Sequence, residues 1–107
     1  MTDDLTFGGY LDKHERPPAF EGSDGESYSA EIYVDREPCD DGRFGAAVLF
    51  VRWSRDGTRP AGHLETEFLA FGRTPEEAGA NLRPLTLYEV KERLDGLIEG
   101  RKGLADW

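Results

Sequence analysis

The sequence predicts an α+β domain: a three-stranded antiparallel sheet, with a short fourth edge strand as the alternative, followed by two C-terminal helices packed on one face. Three observations predict it. Apolar residues recur with a period of two over residues 28–35, 43–54 and 63–72. Clusters of turn-forming residues separate these runs. After Thr74 the period lengthens to that of a helix, and no strand pattern returns.

Residues 1–27 form an acidic, partly ordered N-terminal arm in this reading. Gly8-Gly9, Pro17-Pro18 and the run from Gly22 to Gly25 are breaker signals. Phe7, Tyr10, Leu11 and Phe20 could pin parts of the arm to the core. A short edge strand at 17–20 is compatible with its prolines, because an edge strand can lack a donor on its open side.

The domain proper spans residues 28–100. In the first strand Tyr28, Ala30, Ile32 and Val34 share one face, and Ser29, Glu31, Tyr33 and Asp35 the other. The Asp41-Gly42 pair closes a hairpin, since glycine accepts a positive φ at little cost. The second strand is apolar on both faces: Phe44, Ala46, Val48 and Phe50 against Gly45, Ala47, Leu49, Val51 and Trp53. That predicts a central strand covered on both sides. A second turn runs from Arg55 to Gly62. The third strand sets Leu64, Thr66, Phe68 and Ala70 opposite Glu65, Glu67, Leu69 and Phe71.

Thr74-Pro75-Glu76-Glu77 then opens a helix. The Thr74 hydroxyl can accept from the Glu77 amide, the Glu77 carboxylate can reach back to Thr74, and Pro75 at the first helical position loses no bond. Pro84 would break a helix interior. Thr86 and Glu89 offer a second start, and Leu87, Val90, Leu94, Leu97 and Ile98 give an apolar stripe. Two helices are expected, at 75–83 and 87–99, ended by Gly100, with one kinked helix as the alternative. Residues 101–107, ending on Trp107, form a tail.

The run from Phe71 to Leu82, with Thr74-Pro75-Glu76-Glu77-Ala78 after three strands, resembles the HicB-like antitoxin domain over residues 28–85. The resemblance implies a three-stranded sheet followed by a helix, and a role in binding and masking a small basic protein. It carries no site residue across.

Composition narrows the function classes. Aromatic residues make up 11% of the chain, which favours a packed core over disorder. The net charge is −9, and all of it resides in residues 1–42, which hold twelve acids and three bases. Such a field opposes non-specific binding to nucleic acid, which requires phosphates to be neutralised by Lys and Arg. It suits solubility or a basic protein partner. A single cysteine, Cys39, cannot staple the chain, and the N-terminus lacks the pattern of a signal peptide. No apolar run approaches a membrane span. A cytoplasmic protein is expected.

No catalytic, cofactor-binding or metal-binding set emerges. Cys39, His14 and His63 lack metal-ligand spacing, and Glu37, Asp40 and Asp41 around Cys39 disfavour a reactive thiolate. The expected function is a non-enzymatic protein-binding or regulatory module, self-association as a homodimer included. Two alternatives stay open. One is a small enzyme with a site at a dimer interface built from His63, Glu65 or Cys39. The other is a nucleic-acid binder using Arg52, Arg55 and Arg59 beside Trp53. Leu49, Val51, Trp53, Leu69 and Phe71 need cover if both helices pack on the opposite face; the arm or a second subunit would supply it.

Overall fold

The computed structural model describes residues 5–14 and 16–101. Within them the order is α1 (Phe7–Lys13), β1 (Ala19–Glu21), β2 (Ser27–Val34), β3 (Phe44–Trp53), β4 (Pro60–Glu65), β5 (Ala70–Gly72), α2 (Pro75–Leu82) and α3 (Leu87–Arg101). The strands form one antiparallel sheet, β1-β2-β3-β4, with β5 also pairing to β3. This is an α+β fold, and β1 is the edge strand offered as the alternative.

The core lies between one face of the sheet and the helices. Tyr28 and Ala30 of β2, Ala46, Val48 and Phe50 of β3, Leu64 of β4 and Ala70 of β5 supply the sheet side. Phe7 of α1, Ala78 and Leu82 of α2, and Val90, Leu94 and Ile98 of α3 close over them. The register follows the two-residue period: Ile32 opposes Val48, and Ala30 opposes Phe50.

The third predicted strand is interrupted. Leu49 pairs with Glu65, whereas Ala46 pairs with Ala70, so three steps along β3 correspond to five along its partner. The two extra residues form a bulge at 66–69. Thr66 keeps the ladder closed there: its hydroxyl accepts the Val48 amide at 3.0 Å and donates to the Glu67 carbonyl at 2.7 Å. The bulge also exchanges the expected facing of two side chains. Leu69 packs against the core, while the Phe68 ring lies over Gly45 on the opposite face, where a Cβ on Gly45 would come within 2.4 Å of it.

The two-helix reading around Pro84 holds. Thr74 caps α2 by accepting the Glu77 amide at 3.0 Å, and Glu77 reaches back to the Arg73 amide rather than to that of Thr74. Thr86 and Glu89 form a reciprocal capping box on α3. The Thr86 amide, and then its hydroxyl, hold the Glu89 carboxyl below its usual range. α3 continues through Gly100 to Arg101, since a glycine with nothing packed against it can stay helical near a fraying end. Trp107 and the rest of the tail lie outside the described residues.

The arm is the main correction. Residues 7–13 are helical, capped by Thr6, and Phe7 is fully buried. Gly8 is not a breaker: a Cβ there would lie 2.6 Å from the Arg83 Cβ, so glycine permits the close packing of α1 on the α2–α3 junction. The amides of Phe7 and Gly8 donate to the carbonyls of Leu85 and Arg83 at 2.8 and 3.0 Å. The β1–β2 turn is tied down as well, its Ser23 amide donating to Asp95 of α3 at 3.0 Å.

Candidate protein-binding face

With Phe7 and Leu11 of α1 joining the same core as α2 and α3, no described helix covers the second face of the sheet; Phe68 lies over Gly45 at one end, where Gly45 and Ala47 are buried. The prediction that β3 is central is met; the predicted cover on both sides is met at Gly45 and Ala47 and fails from Leu49 to Trp53. Alternation along β3 projects Leu49, Val51 and Trp53 onto this open face, and each is only half-buried. Tyr33 of β2 stands beside them and is 39% exposed. Tyr33, Leu49 and Val51, with Pro60, His63 and Glu65, surround an open depression of about 490 Å³.

Register places the charges. Leu49 pairs with Glu31 on one side and Glu65 on the other, so two carboxylates flank it on the same face. The Trp53 indole N–H donates to the Ser29 hydroxyl at 2.9 Å, which ties the ring to β2 with its polar atom satisfied. At the far end Phe68 and Phe71 meet edge to face at 6.0 Å, and the Arg43 guanidinium lies 4.4 Å above the Phe71 ring. Arg43 is also paired with Asp41 at 2.7 Å. The open half of the face is therefore apolar at its centre and acidic at its flanks.

The other candidate residues are not brought together. Cys39 sits in the β2–β3 turn, its amide bonded to the Arg43 carbonyl at 2.6 Å. His63 is exposed and opposes Val51, eight residues along β3 from Arg43, or roughly 26 Å at strand rise. His14 belongs to another region, stacked on Tyr10 with ring centroids 4.1 Å apart. His63 and Glu65 do share the open depression, yet both side chains face solvent.

The arginine cluster is divided by the strand itself. Arg52 opposes Tyr28 on the helix-side face and donates to the Ala61 carbonyl at 2.9 Å, whereas its neighbour Trp53 points to the open face. Arg55 and Arg59 are exposed in a turn ordered by Asp56, which accepts from Ser54 and Thr58. No single platform presents the three arginines together with the indole.

Among the described residues no group of three or more His, Cys, Asp or Glu stands in metal-binding proximity, and no helix is long and apolar enough to cross a membrane. The sequence pattern set Phe68 on the face of Leu64 and Ala70, whereas its ring lies on the opposite one. The signal that could have placed it was Gly45, a glycine inside an otherwise apolar strand, which marks the close approach of another group. Compared with known proteins, the chain matches no family model, and neither a curated protein nor a solved structure is similar enough to count as a match.

Proposed function

We propose that this chain is a non-enzymatic protein-binding or regulatory module that engages its partner through the open face of the sheet. The observation that carries the reading is the row Leu49, Val51 and Trp53, only partly buried, with the exposed Tyr33 beside it, on a face that none of the described helices covers. Contiguous apolar surface of this kind gains free energy when a partner removes it from water, at about 25 cal/mol per Å² buried. The partner is of complementary charge, because Glu31 and Glu65 flank the apolar row and the chain carries −9 overall. An apolar patch rimmed by Lys and Arg fits that description. The resemblance of residues 28–85 to the HicB-like antitoxin domain points to the same kind of partner. A second copy fits less well. Docked face to face with Leu49 on the two-fold axis, it would set the carboxylates of one copy against those of the other.

The test compares the wild-type chain with the double variant Leu49→Glu/Val51→Glu, both immobilised, in retaining proteins from lysate of the source cells at low and high salt. The expected result is one basic protein held by the wild type at low salt and lost from the variant. Light scattering of the wild type should give a monomer. If the wild type retains nothing at any salt, or the variant retains the same protein, the open face is not the binding surface.

A further inference from the structure

The upper half of β2 is a free sheet edge. Antiparallel strands point their backbone groups alternately to either side. The Asp35 amide donates to the Gly45 carbonyl at 3.1 Å, so residues 31, 33 and 35 address β3. Residues 30, 32 and 34 address the other side, where the Ala30 amide donates to the Pro18 carbonyl at 3.0 Å. Pairing with β1 covers only residues 27–29. The amides and carbonyls of Ile32 and Val34 therefore point outward past the end of β1, where no strand meets them among the described residues.

The ground beside this edge is a groove. Ile32 and Val34 form one wall, and Pro75, Gly79 and Ala80 of α2 form the other, around about 330 Å³. A Cβ on Gly79 would lie 3.3 Å from Val34, so α2 runs close beneath the edge. The groove continues past Ile32 into a second depression of about 320 Å³ lined by Leu11, His14, Arg16, Pro17 and Glu31, so one arginine stands near Ile32 as well as the Glu31 carboxylate. The cations nearest the first groove are already engaged: Arg83 with Asp12 at 2.7 Å and Arg36 with Glu76 at 3.9 Å. Glu31 and Asp35 take part in no ion pair among the described residues, although Asp35 accepts the Glu37 amide at 2.9 Å. The opposite edge of the sheet is blunted instead: β4 begins on Pro60, and its register shifts between Arg52 and Trp53 of β3.

We propose that the free edge of β2 over residues 31–35 receives one extended segment of the partner protein as an added strand, and that this segment alternates apolar and basic residues. The proposal rests on the reading of the chain as a protein-binding module and adds how the partner is gripped. Main-chain bonds to Ile32 and Val34 supply the register, and alternate side chains supply the choice. Partner side chains on the side of Ile32 and Val34 enter the apolar groove. Those on the side of Glu31, Tyr33 and Asp35 meet two carboxylates, which lysine or arginine satisfies. A second copy is disfavoured by the same charges. A two-fold through Tyr33 would pair Ile32 with the copy's Val34 correctly, but would set Glu31 directly opposite the copy's Asp35.

The experiment titrates the full chain with an acetylated, amidated heptapeptide of alternating lysine and valine, and in parallel with its glutamate–valine counterpart, and reads the amide resonances. The expected result is a shift and slowed exchange of the Ile32 and Val34 amides with the lysine peptide, and binding of the glutamate peptide at least about tenfold weaker. Val34→Pro deletes an outward donor without touching the β2–β3 ladder and should weaken the lysine peptide by about tenfold or more. Glu31→Lys, on an exposed side chain, should shift the preference toward the glutamate peptide. Equal affinity for both peptides, silent Ile32 and Val34 amides, or a wild-type dimer that Val34→Pro abolishes would each overturn the proposal. Loss of peptide binding in Val51→Glu with full binding in Val34→Pro would also overturn it, while leaving the open face as the binding surface.

Discussion

The hydroxyl of Thr66 stands where a regular strand would offer a backbone group. It is buried, it accepts the Val48 amide, and it donates onward to the Glu67 carbonyl. Thr66→Val keeps the shape and leaves the Val48 donor buried and unmet, which costs about 1–3 kcal/mol. Thr66→Ser keeps the oxygen and should recover most of that in denaturant unfolding. Tyr28 offers a second test at this level. Its ring is buried, and burial, reinforced by the 2.8 Å hydrogen bond to Asp24, raises the phenol well above its ordinary value of 10.0. A group whose pKa is raised by folding contributes stability that is complete below the unfolded value and is lost as pH rises past it. Thermal midpoints should therefore be insensitive to this phenol below about pH 10 and fall above it. Tyr28→Phe should lose about 1 kcal/mol near neutrality, for the missing bond, and show a flatter alkaline decline.

Packing between elements depends on a few glycines in opposite ways. At Gly72 a Cβ would lie 2.5 Å from the backbone nitrogen of Ala78, so β5 approaches the first turn of α2 backbone to backbone. Gly96 in α3 has nothing within 4 Å of the same position. Gly72→Ala should destabilise by about 2 kcal/mol or more, since neither chain segment can yield cheaply. Gly96→Ala should stabilise by about 0.5–1 kcal/mol. Calorimetric midpoints moving in the same direction for both would contradict the packing described. The elements with a strong local signature were legible before the structure: the alternation of Tyr28 to Val34, the Asp41-Gly42 turn, and the helix starts at Thr74 and Thr86. The bulge at 66–69 was not, because two extra residues keep Glu65 and Ala70 on their expected faces and the exchange of Phe68 with Leu69 between them leaves no mark on the apolar pattern. α1 was hidden by Gly8-Gly9, which read as a break, whereas Gly8 serves to admit the Arg83 side chain.

For the molecule as a whole, the apolar second face was legible from β3 alone, as was the need for something to cover it. What covers it is a matter of tertiary placement, and the placement of α1 on the helix side removes the most obvious internal candidate. Glu31 and Glu65 become flanking charges only through the register with Leu49, which no spacing along the chain displays. One consequence can be checked directly. A chain lacking residues 1–27 loses the buried Phe7, the β1 strand and the Ser23–Asp95 tie. Removing a fully buried Phe side chain alone costs about 3–5 kcal/mol, a large share of a small domain's stability. The truncated chain should be unfolded by circular dichroism rather than a folded dimer with a newly bared face. A well-folded truncated chain would return the arm to the status of a separate appendage.

The bond from Arg83 to Gly8 joins residues 75 apart in a 107-residue chain, and the Thr6–Thr86 bridge beside it closes the same loop. During synthesis Phe7 has nowhere to go until the α2–α3 junction, some 75 residues behind it, has followed it out. The helix it belongs to must wait as an exposed apolar segment while those residues are made, and this part of the core closes only after them. Slow codons between the two would prolong that wait, and a chaperone that holds nascent apolar segments would soften its consequences.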